Sequence, residues 1–144
     1  IMDGLVGSEM CIRDRYRALT NAMENNMIRS AHDCSDGGLS VSLAESCFGF
    51  SGGADIDVSE ILLSDDELDE WGALFGESLG RIIVSVSPEN ATEFEERMEG
   101  HAVYKLGKTT SSGKVMISAH GKTILKCDVA SLKAAWKGTL DRSA

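Results

Sequence analysis

Two adjacent glycines, Gly37 and Gly38, constrain this chain more than any other feature, because they stand where a short strand must become a helix. Glycine enters left-handed backbone at no steric cost, so a pair at such a junction turns the chain tightly and lets it come close to another backbone or to a ligand. The helix that opens there points unpaired N–H groups outward, toward a phosphate or a carboxylate. The surrounding run, Ser30-Ala31-His32-Asp33-Cys34-Ser35-Asp36-Gly37-Gly38-Leu39, crowds polar groups against this turn. We expect a ligand-facing turn whose candidate binding residues are His32, Asp33, Ser35, Asp36, Gly37 and Gly38.

Each of these residues also has a plainer reading. Asp33 or Ser35 would cap the following helix, and His32 would satisfy a buried carbonyl. Asp36 repels a bare phosphate unless magnesium lies between them, or unless its carboxylate accepts from a ribose hydroxyl or from its own turn. The turn is therefore either a nucleotide edge or structural. Neither Gly-x-x-x-x-Gly-Lys-Ser/Thr nor Gly-x-Gly-x-x-Gly occurs, which argues against ordinary P-loop or dinucleotide sites.

The rest of the chain reads as alternating helices and strands. Tyr16, Leu19, Met23 and Met27 recur at helical steps. A strand over Ile28–Ala31 and a helix over Gly38–Phe48 follow, then a strand over Ala54–Val58 with polar and apolar residues alternating. Ser64-x-x-Glu67 has the spacing of a capping box, and the helix it opens is expected to bury Leu68, Trp71, Leu74 and Phe75 and to stop at Gly76. Arg81–Ser87 is the strongest strand, β-branched and followed by Ser87 as N-cap and Pro88 at the first helical position. Strands over 103–107 and 115–119, a turn at His120-Gly121-Lys122 and a strand from Thr123 come next. A last helix, Ser131–Leu140, is expected to turn Leu132, Ala135 and Trp136 inward. The order α-β-α-β-α-β-α-β-β-β-α implies an α+β domain with a mixed sheet and helices packed on it.

Length and charge narrow the function. A chain of 144 residues with 42% hydrophobic content supports one domain with its own core. Its net charge of −9 and its lack of Lys/Arg clusters argue against nucleic acid and membrane surfaces as partners. The acidic run from Ser64 to Glu70 reads as a solvated helix start. Cys11, Cys34, Cys47 and Cys127 lack the close spacing of a zinc or redox pair, so no metal site is expected, and a reducing, cytoplasmic setting is. Cys34 has no histidine partner of the kind that marks a thiol nucleophile, and the aspartates on either side should raise its pKa. His101 and His120 read as surface residues. No catalytic residue is assigned.

A second constellation, Glu77-Ser78-Leu79-Gly80-Arg81, joins a helix end to the strongest strand, where a carboxylate, a hydroxyl and a guanidinium converge on a polar ligand or form an internal Glu77–Arg81 ion pair. Glu77, Ser78 and Arg81 join the candidate binding set. The two motifs are expected to share one sheet edge, with the Gly37 and Gly38 N–H groups offered to a ligand and Arg81 balancing Asp36.

His-Asp-x-Ser-Asp-Gly-Gly-Leu followed by Leu43-Ala44-Glu45 resembles the C-terminal domain of the aminoimidazole ribonucleotide synthetase superfamily, over roughly residues 16–140. Within it, Leu74-Phe75-Gly76-Glu77-Ser78-x-Gly80-Arg81 resembles the last domain of the phosphoribosylformylglycinamidine synthase branch. The resemblance implies a layered α/β domain lining a nucleotide cleft, and a role in ATP-dependent amidation of formylglycinamide ribonucleotide in purine biosynthesis. ATP and Mg2+ would be bound mainly by domains outside this chain. The partners implied are upstream domains of the same synthetase, a glutaminase subunit and a small accessory subunit. That branch carries two copies of the domain, and the earlier copy uses Glu-Ser-Gln on the ribonucleotide. Leu79 stands where that glutamine would be, and an apolar side chain replaces none of its hydrogen bonds. The corresponding domain of aminoimidazole ribonucleotide synthetase or selenophosphate synthetase is an alternative, as is a noncatalytic scaffold or interaction domain.

Residues 1–15 show no sustained period. The string from Val6 to Arg15 resembles translated adapter sequence, or else an interdomain linker, and residues 1–15 are expected to be a leader outside a domain spanning residues 16–144.

Overall fold

The computed structural model describes residues 9–50 and 52–138. Helix α1 (Glu9–Glu24) leads into strand β1 (Ile28–Asp33), helix α2 (Gly38–Cys47) and strand β2 (Gly53–Asp57). Two short helices, α3 (Ser59–Ser64) and α4 (Glu70–Phe75), precede β3 (Ile82–Val86). A 3-10 turn at Pro88–Asn90 opens α5 (Ala91–Arg97), followed by β4 (Gly107–Thr110), β5 (Lys114–Ala119), β6 (Lys122–Asp128) and α6 (Val129–Gly138).

The α+β class holds, and the strands divide into two sheets. β1 and β3 form an antiparallel ribbon, and β4-β2-β5-β6 form a mixed sheet in which only β2 and β5 run parallel. Alternation explains how the larger sheet covers its core. Along β5, Val115, Ile117 and Ala119 are buried while Lys114, Met116 and Ser118 face the other side. In the parallel register Ala54 opposes Val115 and Ile56 opposes Ile117, so four apolar side chains make one patch under α2, α3 and α4. The ribbon has apolar residues on both faces: Ile82, Val84 and Val86 join Leu19, Ala22, Phe94 and Met98, while Ile83 packs on the main core. It is thereby held between α1 and α5 on one side and the main core on the other.

Five departures from the sequence reading are local to single elements. The helix expected from Tyr16 begins at Glu9, so residues 9–15 of the expected leader are helical, and Arg15 is buried with its guanidinium donating to the Gly80 carbonyl at 3.1 Å. Residues 1–8 lie outside the described residues. Ser64 ends a helix rather than opening one, its hydroxyl donating to the Ile61 carbonyl at 2.6 Å. Asp69 is the N-cap of α4 and accepts from the Gly72 N–H at 2.7 Å. With only six residues, α4 turns one face inward, and Ala73 and Leu74 occupy it. Trp71 is consequently 64% exposed and Phe75 41% exposed, against the expected buried stripe. Trp136 is also 54% exposed, because Val129 and Leu132 take the inward face of α6. The strand expected over 103–107 reduces to a single bridge at Val103, and the ladder forms at Gly107–Thr110.

Candidate functional site

The site is built where β1 ends and α2 begins. Gly37 and Gly38 both adopt left-handed backbone, with φ of 79° and 64°, and the Gly38 N–H closes the turn on the Ser35 carbonyl at 2.9 Å. A Cβ at Gly38 would lie 2.7 Å from the Gly76 carbonyl oxygen, so glycine is what allows α2 to start against the end of α4. Ser42, one turn into α2, brings its hydroxyl to 2.9 Å from the Asp33 carbonyl and 3.0 Å from that of Gly38, tying strand end to helix start.

The two motifs meet here across forty residues of sequence. The Gly37 N–H donates to Glu77 Oε1 at 2.9 Å, placing a carboxylate on the amide end of α2, where charge and dipole favour an anion. Both glycine N–H groups are therefore satisfied within the chain. Arg81 is turned elsewhere: it is 3% exposed, and its guanidinium donates to the carbonyls of Ala73 at 2.9 Å and Gly76 at 3.1 Å, closing the end of α4. Its own carbonyl accepts from the Cys34 N–H at 2.8 Å, so Arg81 organises the junction from beneath. Ser35, Asp36 and Ser78 are exposed around the turn, and Leu79 is 84% exposed.

His32 stands on the β1 side. Its Nδ1 lies 2.7 Å from the Asp33 carbonyl oxygen, which only accepts, so Nδ1 carries a proton in this contact. Its Nε2 lies 3.2 Å from Glu45 Oε2, while the exposed Asp33 carboxylate is 3.8 Å from Nδ1. Glu45 in turn accepts from Trp136 Nε1 at 3.1 Å. Glu45, Ser42 and Trp136 are not in the candidate binding set read from the sequence. Glu45 sits within the matching motif, but nothing in the sequence pairs it with an indole 91 residues away.

The Cys34 thiol has its pKa raised, first by burial, with Arg81 and Ser42 acting against that shift and Asp33 contributing least. Such a thiol is a poor nucleophile. Among the described residues no three His, Cys, Asp or Glu side chains converge to hold a metal ion, and Glu77 is already engaged on Gly37. These residues do not form a magnesium site by themselves. A separate concavity of about 430 Å³, lined by Glu60, Glu95, Met98, Glu99, His101, Val103 and Lys105, lies beside α3 and α5.

The family model described as AIR synthase related protein, C-terminal domain, matches residues 5–119. The chain belongs to this family. The match to the AIR synthase related C-terminal domain begins ahead of Tyr16, in the segment expected to be a leader. Among curated relatives, phosphoribosylformylglycinamidine synthase subunit PurL of Lactobacillus helveticus is 43% identical over 129 residues, 90% of this chain and 16% of that protein. The subunit from Carboxydothermus hydrogenoformans is 37% identical over 81% of the chain and again 16% of its own length. The chain thus spans about one-sixth of the curated relatives it matches. Among solved structures, PurLQS from Thermotoga maritima superposes with a TM-score of 0.80 at 18% identity over 89% of this chain and 22% of that one. Thermotoga maritima PurL complexed with FGAR gives 0.80 at 19% identity, over 88% of this chain and 21% of that one. At such identity these structures establish a shared fold for the AIR synthase related domain, and nothing finer.

Proposed function

We propose that this domain is the C-terminal domain of a phosphoribosylformylglycinamidine synthase, and that its α2 turn forms one wall of a nucleotide cleft completed by upstream domains. In the reaction that the resemblance implies, ATP transfers a phosphoryl group to the amide oxygen of formylglycinamide ribonucleotide. Ammonia released from glutamine by a glutaminase subunit adds to that carbon, and phosphate leaves. ADP, phosphate and glutamate accompany formylglycinamidine ribonucleotide as products. A small accessory subunit belongs to the same assembly, ATP and Mg2+ are held mainly by the other domains, and the setting is cytoplasmic. No helix among the described residues is long and apolar enough to cross a membrane.

The observation that carries this reading is the 2.9 Å bond from Gly37 to Glu77, because it unites two motifs that match the same family in order and spacing. His32, Asp33, Ser35, Asp36, Gly37, Gly38, Glu77 and Ser78 are the wall's proposed contacts, and Arg81 supports them from below. The stacked rings of Trp71 and Phe75, 5.9 Å apart and both exposed, lie on the same helix whose end meets Gly38. Apolar surface of that kind beside a binding wall suits contact with a neighbouring domain.

A second reading, a supporting wall without direct ligand contact, draws on the Gly37 and Gly38 N–H groups being already bonded and on Leu79 replacing an amide. Calorimetric titration of Mg-ATP and of the ribonucleotide into the domain joined to its upstream neighbour separates the two. If the cleft reading holds, Glu77→Ala changes the affinity for one ligand by about tenfold, the scale of a single charged contact. Unchanged affinity for both ligands selects the supporting wall.

A further inference from the structure

The chain of contacts from His32 through Glu45 to Trp136 has no part in closing the turn, yet it runs from the edge of the site to the C-terminal helix. Glu45 presents its two oxygens to different partners: Oε2 lies 3.2 Å from His32 Nε2, and Oε1 accepts from Trp136 Nε1 at 3.1 Å. An indole N–H only donates, so its bond fixes one carboxylate oxygen and thereby sets the direction of the other. The indole is itself held, its ring 5.8 Å from that of Phe48 and tilted by 53°, while Lys133 donates from α6 to the Phe48 carbonyl at 2.8 Å. On the ring's other side the Asp33 carbonyl holds Nδ1. With side chains 32% and 30% exposed, His32 and Glu45 are half-shielded from water, enough for their geometry to persist without closing off the imidazole face.

We infer that Glu45 is a positioning residue for His32 and that Trp136 holds Glu45 to that task, so that α6 sets the orientation of an imidazole at the edge of the α2 turn. The usefulness of that orientation rests on the proposal that His32 faces the ligand, whereas the positioning itself does not. With Nδ1–H on the Asp33 carbonyl, Nε2 bonds the Glu45 carboxylate as the second N–H of an imidazolium, and an imidazolium so tethered meets a ligand in one orientation, which removes a rotamer cost from binding.

The test uses the 144-residue chain and reads the imidazole nitrogen resonances, with His32 assigned by their loss in His32→Asn. Trp136→Phe keeps an aromatic ring against Phe48 and removes only the N–H that orients Glu45. Positioning predicts that the His32 resonances shift in this variant, although the altered atom bonds a different oxygen. Glu45→Gln should shift them further, because the amide offers one acceptor where the carboxylate offers two. Glu45→Asp, one methylene shorter, should fail to restore the wild-type signals despite keeping the charge. If His32 resonances in Trp136→Phe and Glu45→Gln overlay those of the wild type while the melting temperature falls, Glu45 merely clamps α6 to α2 and the inference is overturned. Titrating Mg-ATP and the ribonucleotide into the same protein joined to its upstream domains is a separate arm. Variant-sensitive His32 signals that neither ligand perturbs would retain the positioning and sink the ligand-facing role.

Discussion

Gly38 and Glu77 show how single residues decide whether the α2 turn exists. Gly38→Ala puts a side chain into left-handed backbone and drives it against the Gly76 carbonyl at 2.7 Å, a backbone atom with little room to retreat. We expect a loss of about 3 kcal/mol, combining the left-handed penalty with the steric conflict, measurable by urea unfolding. Glu77→Ala removes the acceptor on the Gly37 N–H, and its cost should match a lost helix cap, about 1 kcal/mol. Trp71 lies at the opposite extreme. Its helical spacing from Leu68 and Leu74 suggests a core residue, whose truncation would cost about 3–5 kcal/mol. At 64% exposure, Trp71→Ala should instead cost less than about 1 kcal/mol by the same measurement.

At the scale of elements, what could be read from the sequence depended on length. β5 and α2 persist long enough for alternation or capping glycines to identify them, whereas α3 and α4 have six residues each, too few for a helical stripe to declare its phase. The pairing of β1 with β3, and not with the larger sheet, is set by tertiary contacts that no local pattern encodes. Likewise the turn was legible at Gly37-Gly38, but the role of Arg81 beneath α4 and that of Glu45 depend on partners distant in sequence. Arg15 is a further case. Its buried guanidinium bonds Gly80, so Arg15→Ala should lower the melting temperature by several degrees, whereas expectation from a dispensable leader is no change. Acid should weaken the junction of β2 and α3. The Asp57 pKa is lowered chiefly by hydrogen bonds from Ser59, with Ser118 and His120 adding to the effect and burial opposing it. A depressed folded-state pKa gives stability that is complete above the ordinary carboxylate value, near 4, and is lost as pH falls through the folded value. Melting temperatures of Asp57→Asn should therefore fall less steeply than those of the wild type below about pH 4.

As a whole molecule, the domain combines a closed core with an open surface around its most distinctive turn. The main core under the mixed sheet is complete without help, with Leu39, Ile61, Leu74 and Ile117 all at or below 1% exposure. These side chains are buried by the chain's own elements, while around the turn Ser35, Asp36 and Ser78 are exposed and the Gly37 and Gly38 amides are already bonded. Under the proposed function, the isolated chain should show no glutamine- or ammonia-dependent amidation, since ATP is bound mainly elsewhere in the synthetase. Steady turnover by the 144-residue chain would contradict that division of labour. The exposed Trp71–Phe75 stack gives a readout that needs no activity. In a Trp136→Phe background Trp71 is the remaining tryptophan of the chain, and on its own the chain should emit as a solvated indole. Joining the chain to its upstream domains should blue-shift that emission and slow acrylamide quenching, because a neighbouring domain would cover the rings next to the turn. To isolate Trp71 in the joined protein, tryptophans of the added domains are replaced by phenylalanine. Emission unchanged on joining would mean that α4 faces solvent in the synthetase as well, and that the cleft, if this domain lines one, closes over a different face.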